Sequence, residues 1–150
     1  MRRESGEKLG LFVLIYGISV GINYLWEMGQ MPLYAGMSFR SIRDWAACFR
    51  AGLGDGIMTL GIYALGVVVF RTRVWPSRLG LREAVFLVLA GAGIAVPVEL
   101  LSLAMSRWRY SPLMPQVPLI GVGVAPLAQM IILPVVSFRA ALRGVPAYRW

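Results

Sequence analysis

Four stretches of this chain are long and apolar enough to cross a bilayer, and they leave little sequence for anything else. A spanning helix needs about 20 mainly apolar residues, and residues 11–31, 51–70, 84–105 and 117–137 each meet that length. Hydrocarbon offers the backbone no hydrogen bonds, so a chain inside it must bond to itself. Runs of this length predict helices. The expected fold is all-α: one domain over 1–150, a polytopic membrane protein with four transmembrane helices in an antiparallel bundle. The first run exceeds a signal-peptide core, and no A-x-A-type cleavage pattern follows it, so it is expected to remain as a membrane helix.

Charge sets the expected orientation. The chain carries 15 Lys and Arg against 7 Asp and Glu, for a net charge of +8. These cations flank the spans instead of forming one basic face, so their work is topogenic and no nucleic-acid partner is expected. Ten of the 15 fall on one side: Arg2, Arg3, Lys8, Arg71, Arg73, Arg78, Arg82, Arg139, Arg143 and Arg149. Arg40, Arg43, Arg50, Arg107 and Arg109 fall on the other. That bias predicts both termini in the cytoplasm, with the chain integral to a bacterial cytoplasmic membrane. Histidine is absent and Cys48 is the only cysteine. Imidazole chemistry, an internal disulfide and a cysteine metal cluster are thereby excluded, and neither a metal site nor a cofactor is expected.

The two outer loops differ from the inner one. Residues 38–50 admit a short amphipathic helix at the interface, and SRWRYSPLMPQVP joins the third and fourth spans. Trp45, Trp108 and Tyr110 stand where aromatic belts form. They serve there either as interfacial anchors or as parts of a site.

Three carboxylates, Glu27, Asp55 and Glu99, fall within the expected spans. Each costs roughly 2.5–3.5 kcal/mol at a helix centre and less nearer the interface. At about 1.5 Å per residue, all three lie roughly 6–9 Å below the same outer boundary. Helical spacing supplies each with polar neighbours, because residues three and four apart share a face. Asn23 and Gln30 flank Glu27, Gly52 and Thr59 flank Asp55, and Ala95 and Ser102 flank Glu99. Stripes of small and polar residues belong against other helices, so all three acids should point into the bundle. The acids then act either as a polar pocket or as structural groups. In the structural case they pair with Arg50, Arg107 or Arg109, or bond to Tyr and Ser hydroxyls.

Glycine and proline mark close packing and breaks. Gly52, Gly54 and Gly56 bracket Asp55 and suit close helix approach; Gly17 and Gly21 make a small-xxx-small pair in the first helix. Pro97 is expected to bend the third helix. In GVGVAPLAQM, Pro126 and Gln129 interrupt an apolar run near mid-membrane. Pro126 removes a backbone donor, and the Gln129 amide either satisfies a carbonyl so freed or floors a cavity rimmed by the acids. The sequence allows both.

From Glu99 the chain reads ELLSLAMSRWRYSP, and later PLIGVGVAPLAQMIILP up to Pro134. This segment resembles the small membrane-embedded lycopene cyclases of carotenoid synthesis, which carry an acid on one helix, a W-x-Y/F loop, glycines and a P-L-E-E motif. Trp108, Tyr110, Gly121, Gly123, Pro126 and Leu127 match that outline, and Glu99 stands near the place of the helix acid. Ala128 and Gln129 stand where the family has two glutamates. The first half, with NYLWEMGQMPLY and GLGDGIM, is also similar to small bacterial membrane proteins of unassigned activity. The resemblance implies a helical bundle that handles a long isoprenoid or similar lipid without a redox cofactor.

The resulting expectation is a polar, acidic pocket near the outer leaflet. Glu27, Asp55 and Glu99 are its candidate catalytic acids and bases. Its candidate ligand-binding residues are Asn23, Gln30, Thr59, Ser102, Arg107, Trp108, Arg109, Tyr110 and Gln129, with the two arginines placed for an anionic head group. The expected ligand is a membrane lipid or isoprenoid-like molecule. The alternative is a non-catalytic small subunit that packs against a partner membrane protein.

Overall fold

In the computed structural model the backbone is described for residues 2–77 and 79–144, with side chains from Gly10 onward. The expected inward cations Arg2, Arg3, Lys8, Arg78 and Arg149 lie outside the described side chains. The element order is α1 (Arg2–Gln30), α2 (Ile42–Phe70), α3 (Leu81–Ala104) and α4 (Val124–Gly144). Four spans are long and apolar enough to cross a membrane: Gly10–Leu33, Ile42–Phe70, Leu81–Ala104 and Val124–Gly144. The architecture is an all-α four-helix bundle. Helix α1 packs against α2 and α4, and α3 packs mainly against α4.

Two boundaries differ from the sequence expectation. Residues 38–50 do not form a separate interfacial helix; α2 starts at Ile42 and runs unbroken to Phe70. Ser41 is the reason. Its backbone is extended, and its hydroxyl accepts from the Asp44 N–H at 3.3 Å, filling one of the donors a helix start leaves empty. Nothing between Arg50 and Gly52 then stops the helix. Replacing Ser41 with alanine is expected to cost about 1 kcal/mol, read as a lower thermal midpoint by circular dichroism in detergent. An unchanged midpoint would remove the cap from this account.

The fourth helix starts at Val124 and not at 117, and ends at Gly144 and not at 137. Residues 115–123 instead fold into a tight apolar turn. Val117 N–H donates to the Val122 carbonyl at 2.8 Å, Val124 N–H to the Pro115 carbonyl at 2.8 Å, and Gly121 adopts φ +67°. Pro126 is therefore in the first turn of α4, where its missing N–H has no helical acceptor to leave unpaired. It opens nothing. Pro134 is the proline that does, because it lies four residues after Met130 inside α4 and leaves that carbonyl without a helical donor.

Close approach of helices rests on glycines, though not those of α1. Gly17 and Gly21 face open space, whereas a methyl on Gly52 would sit 3.1 Å from the Tyr24 backbone nitrogen. At Gly91 it would sit 2.4 Å from the Met130 carbonyl oxygen, the same carbonyl that Pro134 frees. At the end away from the acids, Tyr63, Trp75, Leu87 and Phe138 form the apolar core with Leu11 and Ile15. Tyr63 donates to the Arg73 carbonyl at 2.9 Å, and the Trp75 indole N–H to the Tyr63 carbonyl at 3.3 Å. These bonds bind the 71–80 connection to the bundle and leave the polar groups to the opposite end.

Candidate functional site

The C-terminal end of α1, the middle of α2 and the N-terminal end of α4 bring one amide between two acids. Side chains on a helix lean toward its N-terminus. Glu27 on α1 and Asp55 on the antiparallel α2 therefore lean toward one another, although Asp55 lies midway along α2 and not near its start. Gln129 meets both from α4. Its Nε2 donates to Glu27 Oε1 at 3.1 Å, Asp55 Oδ2 at 2.8 Å and Asn23 Oδ1 at 2.9 Å. The two carboxyls also contact each other. Gln30 Nε2 donates to Glu27 Oε1 at 2.8 Å and to Gln129 Oε1 at 3.1 Å, and Asn23 Nδ2 is tied to the Ser19 carbonyl at 2.8 Å. Gln129 is thus not a plug in a broken helix. It is the hub of the acid pair.

Burial orders these groups. Asn23, Gln30 and Gln129 are buried, while Glu27 and Asp55 keep partial exposure. Amides hold the carboxyls from behind and leave part of each open. The hub is short of hydrogens: Gln129 Nε2 has two and faces three acceptors.

Glu99 is held apart, though near enough for its charge to act on both other acids. It is 5% exposed, and its Oε2 accepts from the Trp108 indole N–H at 3.3 Å and from the Tyr110 hydroxyl. The Tyr110 oxygen in turn accepts the Gly123 N–H at 2.9 Å, just before α4 begins. Trp108 and Tyr110 are therefore built into the site and are not simple interfacial anchors. Tyr34 packs against both rings, at 6.3 and 5.8 Å between centroids. Two backbone bonds zip the outer loops together beside it: Ala35 N–H to the Arg109 carbonyl at 2.8 Å, and Ser111 N–H to the Leu33 carbonyl at 2.9 Å.

Burial, and then the hydrogen bond to Glu99, pushes the Tyr110 hydroxyl above its ordinary 10.0, with the Gly123 N–H opposing. Burial and the Glu99 charge do the same to Tyr34. Both rings stay neutral in the fold, and Tyr110 donates to Glu99. A folded-state value above the unfolded one gives stability that is complete below about pH 10 and lost as pH rises beyond it. Tyr110→Phe is expected to cost about 1–3 kcal/mol near neutrality and to flatten part of that alkaline loss, as read by thermal unfolding against pH. An unchanged midpoint at pH 7 would exclude Tyr110 as the clamp on Glu99.

The remaining candidates separate. Thr59 is fully buried one turn from Asp55, and Ser102 is buried beside Glu99, where its carbonyl accepts the Arg107 N–H at 2.9 Å. Arg107 and Arg109 have exposed side chains. Among the described residues no lysine or arginine pairs with Glu27, Asp55 or Glu99. The ion pairs allowed by the sequence are absent from this region, and the arginines stand outside the polar cluster. No group of three or more His, Cys, Asp or Glu suited to a metal ion occurs among the described residues. Tyr34 is the member that sequence reasoning missed, and Gly123 entered it only through the outline of the resemblance, without its bond to Tyr110. No known family model, curated protein or solved structure matches the chain.

Proposed function

We propose that this chain is a membrane protein whose acid–amide cluster binds, and acts by acid–base chemistry on, a lipid or isoprenoid-like ligand. The observation that carries this reading is the Gln129 hub. Two partly open carboxyls are held from behind by buried amides, without a cation among the described residues, between helices of membrane-spanning length. Intramembrane acids without partner cations are expensive and mark functional sites by default. A pure packing device would bury both carboxyls and match every donor to an acceptor. The likeness of residues 99–134 to lycopene cyclases supports a long apolar ligand. The cation count supports an orientation with both termini in the cytoplasm and the cluster toward the outer face of a bacterial cytoplasmic membrane.

The test compares lipid extracts of cells producing the wild type, Glu27→Gln, Asp55→Asn or Glu99→Gln at matched membrane levels. The wild type is expected to change the extract, and at least one of the first two variants to abolish the change. Identical extracts from all four strains would defeat the enzymatic part of the reading.

A second reading, a non-catalytic subunit, is favoured by the outer wall of α3. Leu81, Val85, Leu89 and Leu101 are exposed there, and α3 is held mainly by α4. Such a wall suits a partner helix. Purification in mild detergent should then recover a second membrane protein in fixed ratio; a lone chain counts against it.

A further inference from the structure

The acid–amide cluster is surrounded by polar atoms that lack partners. Among the described residues, Ser19 Oγ, the Trp26 indole N–H, Gln30 Oε1 and Thr59 Oγ1 are buried and hydrogen-bond to nothing, and of these only Gln30 Oε1 belongs to a side chain bonded to the acid pair. Gln30 is 4% exposed, and its unmatched oxygen belongs to the amide that donates to Glu27 and Gln129. Ser19 and Thr59 are fully buried, one helical turn from Asn23 and from Asp55. Each orphan costs about 1–3 kcal/mol, and hydrocarbon has no water to repair it. One missing hydrogen at the Gln129 hub can be met by a proton shared between the carboxyls. That proton leaves Gln30 Oε1 still unmatched.

At the acid–amide hub itself the imbalance has a sign, because the acceptors there outnumber the hydrogens. The two partly exposed carboxyls face the open side and the Gln30 oxygen is buried beside Glu27, while both hydrogens of Gln129 Nε2 and of Gln30 Nε2 are engaged within the cluster. A phosphate or carboxylate head would meet acceptors and negative charge. A hydroxyl would bring one donor and no charge. A primary ammonium brings three donors and a positive charge, and it matches two carboxyls and an unpaired amide oxygen together. The cluster lies between helices of membrane-spanning length, so a ligand that reaches it carries an apolar remainder.

We propose that the Glu27–Asp55–Gln30 cluster is a binding site for the primary ammonium head of a long-chain amine. This rests on the reading of the cluster as a ligand pocket and narrows it to one head-group chemistry.

The experiment measures thermal unfolding in non-ionic detergent with equal mole fractions of dodecylamine, dodecyltrimethylammonium, dodecanol or dodecyl phosphate. Dodecylamine is expected to raise the wild-type midpoint by about 5 °C at saturation. Dodecyltrimethylammonium, which has the charge and no N–H, should do markedly less, and the other two nothing. Glu27→Gln and Asp55→Asn should each weaken the amine effect about tenfold in concentration, a difference of about 1.4 kcal/mol. Glu83→Gln, at the far end of α3, should leave it intact and so controls for micelle charge. Equal amine shifts in Glu27→Gln, Asp55→Asn and wild type would overturn the assignment. So would stronger stabilisation by dodecanol or dodecyl phosphate, which would still leave a lipid pocket standing. Silence from all four probes removes the pocket as well. The four-probe comparison on wild type decides the head group even where an acid variant does not fold.

Discussion

Replacing Gln129 with leucine is expected to lower stability by about 3–5 kcal/mol, more than any other single change at the acidic end of the bundle. The size follows from how many groups share this one side chain. Its amide donates to Asn23, Glu27 and Asp55 and accepts from Gln30, and all four would lose that partner at once. Losing one ordinary buried partner costs about 1–3 kcal/mol, and leaving buried charge unmatched raises that to about 3–5 kcal/mol. Leucine fills similar volume, so the loss would come from polarity and not from a cavity. Gln129→Glu should be at least as damaging at neutral pH, because it sets a third carboxyl against two. The check is a double-mutant cycle by thermal unfolding: in a Glu27→Gln, Asp55→Asn background the leucine should cost at least about 1 kcal/mol less. A Gln129→Leu protein within about 1 kcal/mol of wild type would mean the amide does not hold the acids.

That role was only half legible in the sequence. Glu27, Asp55 and Glu99 announced themselves, since three acids inside apolar runs need partners, and helical spacing assigned Asn23, Gln30 and Thr59 to their faces. The place of Gln129 did not follow. Hydropathy registers 117–137 as one run and cannot tell an apolar turn from an apolar helix. Only the bonds of Val117 and Val124 to Val122 and Pro115 show that α4 begins seven residues later. With that shift Gln129 moves from mid-membrane to the level of the acids, and Pro126 from a break to a first-turn residue. Ser41 misled in the opposite sense: a cap is a single hydroxyl, too small to register beside a run of residues.

Tyr34 left no trace for a different reason. Its role is to pack on Trp108 and Tyr110 across two loops, and nothing periodic in either loop marks that meeting. The glycines show the same limit. Small residues at i and i+4 occur in α1 as Gly17 and Gly21 and in α2 as Gly52 and Gly56, but only the second pair is buried. Spacing identifies a face; rotation of the helix against its neighbours decides whether that face meets lipid or protein.

Two glycines of α3 turn this last point into an experiment with opposite signs. Gly91 and Gly93 are two residues apart in one helix, and alanine at either should gain about 0.5–1 kcal/mol from backbone entropy alone. At Gly93 nothing lies within 4 Å of the added carbon, so Gly93→Ala is expected to keep that gain. At Gly91 the carbon would come to 2.4 Å from the Met130 oxygen and 2.9 Å from its carbonyl carbon. These are backbone atoms of α4, so no rotamer change relieves the clash and the helices must part. Overpacking costs about 1–3 kcal/mol, which outweighs the entropy, and Gly91→Leu should exceed Gly91→Ala. Because α3 is held chiefly through α4, parting them also pulls Glu99 away from Tyr110 and from Gly123 at the head of α4. Thermal unfolding should therefore show a raised midpoint for Gly93→Ala, a lowered one for Gly91→Ala and the lowest for Gly91→Leu. Equal effects of alanine at the two sites would contradict the α3–α4 contact on which the placement of Glu99 depends.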